Sequence, residues 1–207
     1  MIRMQEKYVL PDGTLNQVGY SALRGTESAL DALTVRVSAA ETDITTLEGN
    51  VQNRSSVSAT TSGGAVDITG IPTTAVAITL HLKGVSLSGT DDFLVQFLDS
   101  GGSPITSGYV SSAGTFNDAA ASAVTSSTSG FVVRSNNFAT MLSGRMEMTR
   151  FPGTTDWAQA HTFKRTTAGI SAGGGDCATG GNVTGIRITR TGADTFDAGS
   201  IFAEWRS

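Results

Sequence analysis

LRGTESALDALTVRVSAAETDITTLEGNV, residues 23–51, places Leu23, Leu30, Val37, Ile44 and Val51 at intervals of seven. A second register three positions on, Thr26, Leu33, Ala40, Leu47 and Arg54, is apolar through its middle members. Read as a and d of a heptad, the two registers form one narrow stripe that a single helix cannot bury by itself. Glu27, Asp31, Arg36, Glu41, Asp43 and Glu48 lie off the stripe, so the segment is too polar to be a core helix. The pattern predicts a parallel coiled-coil stalk over residues 21–54, about 50 Å long at 1.5 Å per residue. With position a at Leu23, Arg36 and Glu41 fall on g and e, where they form an inter-chain ion pair in a parallel alignment. Branching at a and d leaves the number of strands open. Val37, Ile44 and Leu47 favour a dimer, whereas Leu23 and Leu30 at a do not.

Upstream, residues 1–20 read as a separate leader. Tyr8-Val9-Leu10 can form a short strand and Pro11-Asp12-Gly13 a turn. A strand that short needs a surface to dock on. Downstream, Gly49-Asn50 and the polar run from Asn53 to Ser58 end the helix, and residues 55–64 read as a linker.

From there the apolar period changes from seven to two. Val76, Ile78, Leu80 and Leu82 alternate with Ala77, Thr79, His81 and Lys83, the pattern of a strand with one buried face. Residues 93–98 are apolar on both faces apart from Gln96, which predicts a central strand. Further strands are expected at 65–69, 106–111, 130–135, 138–149, 156–164, 184–190 and 199–206, separated by Gly, Ser, Thr, Asn and Asp. Residues 111–129 and 169–182 read as long loops. The expected fold is therefore mainly β, with an antiparallel, jelly-roll-like β-sandwich knob over residues 65–207.

Composition agrees and narrows the function. Charged residues make up 15% of the 207-residue chain, below the usual quarter, and Gly, Ser and Thr take their place. A net charge of -4 argues against nucleic-acid binding, which needs a cationic face. The lone Cys177 cannot build an intrachain disulfide framework or a cysteine metal cluster. The start, MIRMQEKYVL, has no apolar signal-peptide core, and no stretch approaches a membrane span.

Residue-level chemistry is sparse. Asp91, Asp92, Asp176, Asp194 and Asp197 lack the regular spacing of a calcium loop and read as turn formers. His81 and His161 sit at strand positions without a second ligand at metal spacing. Gly173–Gly175 lack the Lys-Ser/Thr of a phosphate loop. No catalytic residue, metal site or cofactor is assigned. Tyr109, Phe116 and Asn117, flanking or within the first long loop, are the candidate receptor contacts.

The order of pieces after the stalk resembles a β-domain of bacteriophage virion proteins of the tail-fibre and head-fibre type. The similarity rests on AVDITGIP (65–72), AITLHLKGVSLSGTDDFLVQF (77–97), Gly108-Tyr109, STSGFVV (127–133) and MLSGRMEMTRF (141–151). It continues through the Trp157 strand, GGG (173–175) and VTGIRITRTGADTFDAGSIFAEW (183–205), with the segment 192–201 its most specific part. Phe196 reads as a core plug and Asp197-Ala198-Gly199 as a tight turn feeding the last strand. The resemblance implies a homotrimeric fibre in the virion, docked on other virion proteins by its leader through Tyr8, Val9 and Leu10. Its knob is then expected to attach to a bacterial surface glycan or outer-membrane protein, with no catalysis, no nucleic acid and no membrane insertion. A head fibre, spike or capsid-decoration protein is the alternative, and a capsule-degrading tailspike enzyme a more distant one.

Overall fold

A computed structural model describes residues 17–49, 53–116, 123–134, 140–166 and 169–207. Tyr8, Val9, Leu10, Val51 and Asn117 lie outside the described residues. The chain divides into two units between Asn50 and Val51.

The described residues of the first unit form a helix, α1, Gln17–Gly49. It begins four residues before the expected stalk, and its described residues run to Gly49. The expected helix to residue 54 is corrected, because Asn53–Arg54 form a strand held antiparallel against Glu204–Trp205. Along it the hydroxyls of Thr26, Thr34 and Thr42 donate to the carbonyls of Leu23, Leu30 and Ser38, which lets polar residues sit mid-helix with their donors satisfied. Every described side chain of α1 is exposed, including Leu23, Leu30, Leu33, Val37 and Ile44 of the stripe and Arg36 and Glu41 beside it.

The second unit is an antiparallel β-sandwich. Its strands are β1 Asn53–Arg54, β2 Ser58–Ala59, β3 Val66–Thr69, β4 Ala77–Leu87, β5 Phe93–Leu98, β6 Tyr109–Phe116 and β7 Ala123–Ser127. They continue with β8 Phe131–Val133, β9 Leu142–Arg150, β10 Asp156–Arg165, β11 Ile170–Ala178, β12 Gly185–Arg190 and β13 Phe196–Arg206. The large sheet runs β1-β13-β4-β9-β10-β11-β6-β7, with β2 also on β13; the small sheet runs β3-β12-β5-β8. Four pairings nest inside one another: β2 with β13, β3 with β12, β4 with β9 and β5 with β8. That is one long hairpin wound over two layers. The hairpins β6–β7 and β10–β11 are inserted into it and extend only the large sheet.

The layers meet over a core of aromatic rings. Phe97 of the small sheet lies 5.0 Å from Trp157 and 6.4 Å from Tyr109, both of the large sheet, and 5.6 Å from Phe131 beside it. Ile78, Leu80, Met146, Met148, Ile186, Ile188 and Phe196 fill the same core, so the period-two reading of Val76–Lys83 holds. Phe93–Leu98 is buried on both faces, as expected for a central strand. Alternation explains how. Phe93, Val95 and Phe97 face the main core, while Leu94 joins Val132 and Ala113 in a second small cluster. Ala113 belongs to β6, so the inserted strands cover part of the small sheet's other face.

Three further expectations need correction. The ranges 111–129 and 169–182 read as loops, but their described residues include most of β6, all of β7 and all of β11. The 55–64 linker is tied into the large sheet, since Ser58 and Ala59 pair with Ile201 and Ser200, and the Thr60 hydroxyl donates to the Ala198 carbonyl at 2.8 Å. Asp197-Ala198-Gly199 is not a turn but a pair of register shifts inside β13.

Candidate functional site

The pairings give the β unit two poles. Asn53, where the described chain enters, lies against Trp205, and the same end carries Ala77, Arg150, Asp156, Ala178, Tyr109 and Ser127. The far pole carries Phe196, Leu87, Leu142, Arg165, Ile170 and Phe116.

At that pole the outward side of β11, β6 and β7 is apolar or small, and β10 borders it with Thr162 and Lys164. Lys164 neighbours Ile170, which neighbours Phe116. The next row is Thr162, Ala172, Gly114 and Val124. Phe116, Ile170 and Val124 are 48%, 41% and 69% exposed, and Met141 is exposed at the same end. Phe116 is therefore an exposed apolar residue of this pole, and Ile170, Val124 and Met141, which do not stand out in the sequence, are exposed beside it. Their signal was faint. Ile170 and Val124 are isolated apolar residues in Gly/Ala/Ser-rich runs.

Tyr109 is a correction: it is a core residue of the near pole. Its ring is 2% exposed and meets Phe131 edge-on at 5.0 Å, and its hydroxyl accepts the Phe97 N–H at 2.8 Å. Burial pushes its phenol pKa far above the ordinary range, and the bond from Phe97 only partly offsets that. Residues Tyr109, Ser111, Ala113 and Thr115 all turn inward at spacing two, the clue that this stretch was strand.

The other titratable groups are quiet. Burial pushes the Cys177 thiol up to about 11, so it stays protonated and a poor nucleophile at neutral pH. His161 faces inward, its Nδ1 3.1 Å from Gln159 Oε1, and burial lowers its pKa to about 4. His81 lies on the outer face, stacked on Phe202 at 4.4 Å, with Nε2 3.1 Å from Glu204 Oε2. A cleft of about 530 Å³ beside it is lined by Val57, Lys83, Arg145 and Ser200 among others. Its charges are largely spoken for: Arg145 Nε lies 2.8 Å from Glu147 Oε1, and His81 lies against Glu204.

Asp91 and Asp194 act as turn caps, whereas Asp176 and Asp197, also expected in turns, lie within strands β11 and β13. Asp91 N–H donates to Asp194 Oδ2 at 2.8 Å and Asp194 N–H to Asp91 Oδ2 at 2.9 Å, clasping the β4–β5 and β12–β13 loops together. Asp92 pairs with Arg134, and Asp197 accepts from the Ser86 hydroxyl. Among the described residues no cluster of metal-ligating side chains forms. No described helix is long and apolar enough to cross a membrane. No family model matches the chain, and no curated protein matches it at a significant level.

Proposed function

We propose that this protein is a homotrimeric bacteriophage virion fibre. In this reading the leader, with Tyr8, Val9 and Leu10, docks on the particle, α1 forms a parallel coiled coil, and the sandwich is a jelly-roll knob that attaches to a bacterial surface. One observation carries it. Leu23, Leu30, Leu33, Val37 and Ile44 stand exposed on a helix whose every described side chain faces solvent, at the spacing that identical parallel helices cover. Ala40 completes the described part of that seam, Leu47 and Val51 continue it in sequence, and Arg36 and Glu41 flank it for inter-chain pairing. The trimer and the virion setting come from the resemblance in residues 60–207.

The host-contact surface in this reading is the far pole, around Phe116, Ile170 and Val124. An apolar surface of this size gives weak single contacts, which several copies per fibre and several fibres per particle multiply. Two measurements test the proposal. Light scattering on the purified protein is expected to give three times the mass of one chain. Labelled protein is expected to bind cells of a susceptible strain, and Phe116→Ser with Ile170→Ser to weaken that binding about tenfold or more. A one-chain mass, or no binding to any strain in a broad panel, sinks it.

A further inference from the structure

We infer that β7 is a docking edge for an extended polypeptide segment of a partner protein, which joins the large sheet as one more strand. This rests on the far pole being the contact surface, and it names the partner's chemistry as protein backbone rather than glycan.

The sheet edges of the β unit end in different ways. An open edge carries a row of unpaired N–H and C=O groups and recruits other strands unless it is shortened, charged or covered. Three edges here are managed. β1 and β2 are two residues each. β3 is four residues, and its Asp67 is clamped by the Arg187 guanidinium through bonds of 2.7 and 2.8 Å. β8 is three residues, and the Ser111 hydroxyl accepts its Val132 N–H at 2.9 Å.

Among the described residues the fourth edge is left open. β7 is Ala-Val-Thr-Ser-Ser, five residues with no charge and no proline, paired on one side with Ser111–Thr115 of β6. Among the described residues no main-chain hydrogen bond reaches it from the other side. Val124 beside that edge is 69% exposed. A strand laid along β7 satisfies the alternating donors and acceptors at the ordinary spacing of about 4.8 Å and places alternate side chains beside Val124. A glycan has no such alternation of donors and acceptors at strand spacing.

The test uses full-length protein and a strain that the wild type binds. Val124→Lys with Ser126→Lys places on the outer face beside the edge the charges that natural edges use against pairing. Its circular dichroism and melting transition are expected to match the wild type, because both side chains are exposed. Cell binding is expected to fall at least tenfold. Binding is also expected to disappear on protease-shaved cells and survive on periodate-oxidised cells. In wild-type protein mixed with outer-membrane vesicles of that strain, amide exchange at residues 124–127 is expected to slow. That last readout does not depend on any variant folding. Wild-type binding by the lysine variant, or binding that survives protease but not periodate, overturns the inference. So does a mass that doubles with concentration only in the wild type, which would make β7 a copy-to-copy edge. Loss of binding in Phe116→Ser/Ile170→Ser alone would keep the far pole as contact surface and remove the edge. Failure of the wild type to bind any strain removes the attachment reading, and this inference with it.

Discussion

Leu30 and Leu80 are the same residue in two different situations. Leu30, on α1, is 64% exposed; Leu80, on β4, is 1% exposed. The β unit covers its own apolar side chains by winding one chain into two layers. The helix does not, because among the described residues of its own unit no other element faces the stripe. The contrast teaches that this sequence specifies a self-sufficient fold after residue 50 and a half-finished one before it. Burying a leucine is worth about 1.5–3 kcal/mol, so a run of such residues left in water is a large driving force for association.

The strongest way to break the contrast is to charge the seam. Leu30→Asp with Val37→Asp is predicted to reduce the mass in light scattering to one chain and to erase most of the helical circular dichroism. The melting transition of the β unit should stay where it was. An unchanged mass would mean that the stripe is covered by something other than identical copies.

The reverse substitution works on the core. Trp157→Ala removes the ring that packs 5.0 Å from Phe97 and is predicted to cost about 3–5 kcal/mol in denaturant unfolding. The oligomeric mass should survive, since the seam is untouched. Loss of both together would show that the units do not fold independently.

A third prediction concerns pH. The pKa of His161 is lowered by burial to about 4, against 6.5 for a free imidazole. The unfolded chain therefore takes up this proton first. The stabilising effect of keeping the ring neutral is full above pH 6.5 and is lost progressively as pH falls toward 4. The gap amounts to about 3 kcal/mol at 1.36 kcal/mol per unit. Urea curves at pH 7 and pH 4 should show a smaller drop in His161→Gln than in the wild type by about that amount. An equal drop in both proteins would place the acid sensitivity in other groups.

Tyr109→Phe is the smallest effect. It leaves the Phe97 N–H without its 2.8 Å partner and should cost about 1–3 kcal/mol by denaturant unfolding. A neutral result would mean that water or another acceptor replaces the hydroxyl.

The strands with strong β-branched or aromatic alternation, Val76–Lys83 and Phe93–Leu98, were legible because their side chains do the packing. β6, β7 and β11 were not, because their side chains are mostly small. In β11 the smallness is a requirement of the geometry. A Cβ on Gly173 or Gly175 would run into the carbonyl of Ser112 or Val110 on β6. Glycine there keeps two strands close, yet in a sequence glycine reads as a turn or loop. The candidate contact surface was legible to the same extent. Phe116 stood out as a large apolar residue in a polar run, whereas Ile170 and Val124 join it only once β11, β6 and β7 lie side by side. Tyr109 misled because the expected strand 106–111 ends beside an expected loop, whereas the inward spacing of Ser111, Ala113 and Thr115 carries the strand on and buries the ring.

The antiparallel seating of Asn53–Arg54 on Glu204–Trp205, and then of Ser58–Ala59 on Ser200–Ile201, has a mechanical corollary. Tension carried along the chain from Gly49 reaches the β unit at its first strand instead of at a free loop. Drawn lengthwise from that end, β1 and β2 must slide past β13, and their bonds share the load in shear rather than opening one after another. The Ser55 N–H to Ala203 carbonyl and Thr60 N–H to Gly199 carbonyl bonds add rivets to the same overlap. It is a lap joint, strongest along its length and weakest when peeled.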